Sequence, residues 1–92
     1  MTHHDQELTT GERTRMLTVA IVYLLTEVSR NLDYDPDEPL SIMRAVCLRA
    51  GLMRFSPVVL TSLACAEIVA ADAADLYAAC SEAAPQLREA RR

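Results

Sequence analysis

Met16-Leu17-Thr18-Val19-Ala20-Ile21-Val22-Tyr23-Leu24-Leu25 is apolar at nine of its ten positions. The exception, Thr18, can return its hydroxyl to the backbone of the preceding turn. As a helix, this stretch is apolar around its whole circumference for more than two turns, and such a helix must be covered on every side. Two stripes run along it at helical spacing. The main one is Leu17, Ile21, Leu24, Val28 and Leu32; the second is Met16, Val19, Val22 and Tyr23. Polar residues collect at the ends, Glu12 to Arg15 before the run and Thr26 to Asn31 after it.

The rest of the chain is short of material to cover such a helix. Its 92 residues make one domain. A domain of that size buries about 60–65% of the surface its unfolded chain exposes. Yet 51% of the residues are hydrophobic and only 4% aromatic, so the core is aliphatic and the apolar surplus is large. The expectation is an all-α bundle of three or four helices, residues 1–92 as a single domain, completed by oligomerisation. Leu17, Ile21, Leu24, Leu25 and Val28 are the expected self-association surface. A simple core stripe, or a pocket for a hydrophobic small molecule, are the other readings of the same residues.

The remaining punctuation is helical. Residues 1–9 are polar and read as a flexible arm. Thr9-Thr10-Gly11-Glu12 has the spacing of a capping box, so the first helix is expected from Thr10 to about Leu32. Asn31 to Pro39 is an acidic linker. Its Asp33, Asp35, Asp37 and Glu38 stand where a helix dipole favours negative charge, and Pro39 suits the first turn of the next helix. That second helix is expected from Leu40 to Ala50, closed by Gly51. Ser56-Pro57 restarts a third, running to Ala84 and ended by Pro85, unless it breaks where Asp72-Ala73-Ala74-Asp75 can cap a fourth. Unbroken, it would span about 42 Å. Ten alanines lie between Pro57 and Pro85. Among them Ala66, Ala70, Ala73 and Ala74 are expected to pack against another helix. Residues 86–92 read as a charged tail. Two glycines and four prolines are too few for an all-β chain.

Little here suggests chemistry. The only histidines, His3 and His4, are adjacent in the polar arm. No nucleophile–histidine arrangement on an ordered element can be built from them. Asp33-x-Asp35-x-Asp37 has the opening spacing of a calcium loop. Glu38, however, occupies the position of the turn glycine, and Arg44 that of the closing bidentate Glu. Cys47, Cys65 and Cys80 are widely spaced within apolar patterns and read as small buried hydrophobes in a reducing, cytoplasmic setting. Neither a leader segment nor a membrane-length apolar run is visible. No catalytic residue, metal site or cofactor is therefore expected.

The formal charge is −4, and all nine basic residues are Arg. An acidic chain lacks the phosphate-neutralising surface that drives nucleic-acid affinity. Arg44, Arg49 and Arg54 form the one basic cluster, a candidate anion or partner patch. Leu40 to Glu67 has the rhythm of a helix-turn-helix DNA-binding regulator. Its second helix, however, would open on Pro57, Val58, Val59 and Leu60, an apolar face rather than a base-reading one. The preferred expectation is a non-enzymatic protein-interaction module (adaptor, subunit or inhibitor) acting as a homo-oligomer. A helix-turn-helix regulator and a small-ligand-binding oligomer are the alternatives.

Overall fold

A computed structural model describes residues 9–28, 34–53 and 66–90. The architecture is all-α, built from α1 (Thr10–Val28), α2 (Pro39–Met53) and α3 (Ala73–Ala90), with residues 66–70 also helical. No strand occurs among the described residues. The polar arm through Leu8, His3 and His4 included, lies outside them, as do Leu32, Arg54, Ser56, Pro57 and Cys65.

α1 begins where the capping box places it. The Thr9 N–H donates to Glu12 Oε1 at 2.9 Å, and the Glu12 N–H donates to Thr9 Oγ1 at 3.1 Å. Two of the amide donors that a helix start leaves unpaired are thereby satisfied reciprocally. Thr14 and Thr18 lie on the buried side. The Thr18 hydroxyl donates to the Thr14 carbonyl at 2.8 Å and also lies 3.4 Å from the Ala79 carbonyl on α3, so its burial leaves no unpaired donor.

α2 opens on a turn. The Glu38 N–H donates to the Asp35 carbonyl at 3.0 Å, with Pro36 at the second position, where its fixed φ suits the turn. The Asp37 N–H donates to Asp35 Oδ1 and the Asp35 N–H to Ser41 Oγ, both at 3.0 Å. Pro39 is the first helical residue, where a missing N–H costs nothing.

Three cross-helix contacts set the directions. Arg13 pairs with Asp75 and Thr18 meets Ala79. Sequence numbers thus rise together along both helices, and α1 and α3 run parallel. Asp37, at the entrance to α2, pairs with Arg88 in the last turn of α3, so α2 runs back against α3. α3 packs on both α1 and α2, which scarcely touch each other.

α3 is therefore the central element, and its buried residues suit that place. Leu76, Ala79, Cys80, Ala83, Ala84 and Leu87 face inward, four of the six being small. Small side chains let two neighbouring helices approach one axis closely. Leu17, Ile21, Leu24 and Leu25 of α1, Ile42 and Val46 of α2, and Ile68 complete the core.

Several expectations are corrected. Pro85 lies inside α3, which continues to Ala90, so residues 86–90 are helix rather than tail. The proline ring is exposed. Beyond it Leu87 is 1% exposed, and burying a leucine, worth about 1.5–3 kcal/mol, offsets much of an interior proline's cost of about 3 kcal/mol. Gly51 does not close α2, which reaches Met53; glycine permits a left-handed cap without imposing one, and no described residue has positive φ. Ala66, Ala70, Ala73 and Ala74 are all exposed. The break at Asp72 is the reason. The Asp75 N–H donates to Asp72 Oδ1 at 2.9 Å and the Leu76 N–H to the Asp72 carbonyl at 3.0 Å. A new helix starts there, so Ala73 and Ala74 occupy its end, and Ala79, Ala83 and Ala84 are the alanines that pack.

Candidate interaction surface

The two stripes of α1 meet different environments. Leu17, Ile21, Leu24 and Leu25 are 0–2% exposed, sealed by α3 and the rest of the chain's own core. They are thus not available as the self-association surface expected of them. The Val28 side chain lies outside the described residues. The second stripe faces outward: Met16 is 41% exposed, Val19 61% and Tyr23 39%. At 100° per residue these three fall within an arc of about 60°, on the far side of the helix from the core face. Ala20 and Val22 are half-buried at its edges. α2 packs mainly on α3 and makes few contacts with α1.

Sequence reasoning identified both stripes and gave the pairing role to the one that the chain buries in its own core. The signal that separates them is present in the chain. Thr14 and Thr18 extend the inward face, where their hydroxyls can return to the helix backbone, whereas Tyr23 brings a phenol that is best left at a wet rim.

Charges frame the outer face without covering it. Glu12, at its N-terminal end, is engaged in the cap. Arg13 turns aside to Asp75 (3.6 Å). Arg15 is exposed and forms no ion pair among the described residues.

Of the expected basic cluster Arg44, Arg49 and Arg54, the last lies outside the described residues, and the other two do not come together. Arg44 is exposed and Arg49 half-buried; five residues apart, they point about 140° away from each other around α2. Arg49 Nε is buried without a hydrogen-bond partner among the described residues. The linker acid Asp37 pairs with Arg88 of α3 rather than with either of them. Beside Arg44 the exposed side of α2 carries Leu40 (54%), Leu48 (63%) and Cys47.

The two described cysteines differ sharply. Cys47 is exposed, whereas Cys80 is fully buried on α3. Burial pushes the Cys80 thiol up to about 12, and the neighbouring Cys47 adds to the shift. A thiol held protonated in this way is a packing group rather than a nucleophile. Among the described residues no cluster of three or more His, Cys, Asp or Glu could hold a metal ion, and no described helix is long and apolar enough to cross a membrane. Compared with known protein families, with curated proteins and with solved structures, the chain matches none.

Proposed function

We propose that this chain is a non-catalytic protein-interaction module that works as a homo-oligomer, associating through the outer face of α1. One observation carries the reading: Met16, Val19 and Tyr23 form an exposed apolar stripe on a helix whose opposite face is already the core. Isolated exposed apolar residues are ordinary, but a contiguous set on one rigid element marks a contact surface. The surface residues are large and two of them are unbranched or aromatic, the kind enriched at the centres of protein interfaces. Such a module would act by occupying or bridging a partner, as a subunit, adaptor or inhibitor.

Static light scattering tests this. The unaltered chain is expected to show a multiple of the chain mass, and Val19→Glu to show the single-chain mass with an unchanged helical circular dichroism spectrum. A charge at the centre of a desolvated contact has no partner to offset its burial. The exposed position of Val19 lets the isolated fold keep the substitution. A single-chain mass for the unaltered protein at high concentration would sink the proposal.

A further inference from the structure

We draw no further inference here: the strongest candidate, the exposed side of α2 that carries Leu40, Arg44 and Leu48, is an unpartnered helix face, and nothing in the structure shows what covers it.

Discussion

Arg88 reaches from the last turn of α3 to Asp37 in the turn that opens α2, with Nε 2.8 Å from Oδ1. This contact joins two parts of the chain more than fifty positions apart, and it fixes which end of α3 the entrance to α2 adjoins.

The bond's energetic weight is small. Both side chains are at least half exposed, and ion pairs in such settings contribute about 0.2–1 kcal/mol. Arg88→Ala, Asp37→Ala and the double variant, taken as a cycle by urea unfolding, are expected to give a coupling in that range. It should shrink in 1 M salt, where the screening length falls to about 3 Å. A coupling several times larger would mean the pair organises the α2 turn rather than decorating it.

Pro85 offers a direct gain in stability. Inside α3 it has no N–H to donate to the carbonyl of Ser81, and both residues face solvent. Pro85→Ala is expected to stabilise the fold by about 2 kcal/mol. That is less than the full cost of about 3 kcal/mol for an interior proline, because a freed residue adds about 0.4–1 kcal/mol of entropy to the unfolded chain. The urea midpoint should rise with no change in slope. A lower midpoint would mean that the proline itself, and not only the leucine beyond it, holds α3 against its neighbours.

The alanines separate the two sides of α3. Ala83 is fully buried in the central helix, so Ala83→Leu forces three extra carbons between helices already in contact. A loss of about 1–3 kcal/mol is expected. Ala74→Leu, at an exposed position in the first turn, should change stability by less than about 0.5 kcal/mol. Equal effects at both positions, in thermal or urea unfolding, would contradict the inward assignment of Ala79, Ala83 and Ala84.

The helical punctuation was readable because it is local. Thr9 and Glu12 form the box their spacing implies, Pro39 opens α2, and Asp72 caps a new helix through Asp75. The features that stayed hidden depend on the neighbours. A proline says that a helix will be costly to continue, but only the burial of Leu87 decides that it continues anyway. Ala66 and Ala70 match Ala79 and Ala83 in kind and spacing, and the phase break at Asp72 alone tells them apart. The stripes of α1 show the same limit most plainly. Leu17-Ile21-Leu24 and Met16-Val19-Tyr23 both satisfy helical periodicity, and which one faces α3 is settled by packing between residues some sixty positions apart.

Cys80 links the core to pH. Its thiol is raised from 9.0 to about 12 in the folded chain, whereas in the unfolded chain it titrates at its ordinary value. Between those limits the folded state holds a proton that the unfolded state has released. Stability therefore falls as pH rises. The contribution is fully present below pH 9 and is lost toward pH 12, with a slope of at most about 1.4 kcal/mol per pH unit. The informative quantity is a difference between two chains. Cys80→Ala, one heavy atom smaller, should show a shallower decline in unfolding free energy between about pH 9 and 11 than the unaltered chain. In native protein at about pH 8, a thiol reagent followed by mass mapping should modify Cys47 well before Cys80. Prompt modification of Cys80 would show that the face of α3 carrying it opens readily, and the packing of α2 against that helix would have to be redrawn as loose.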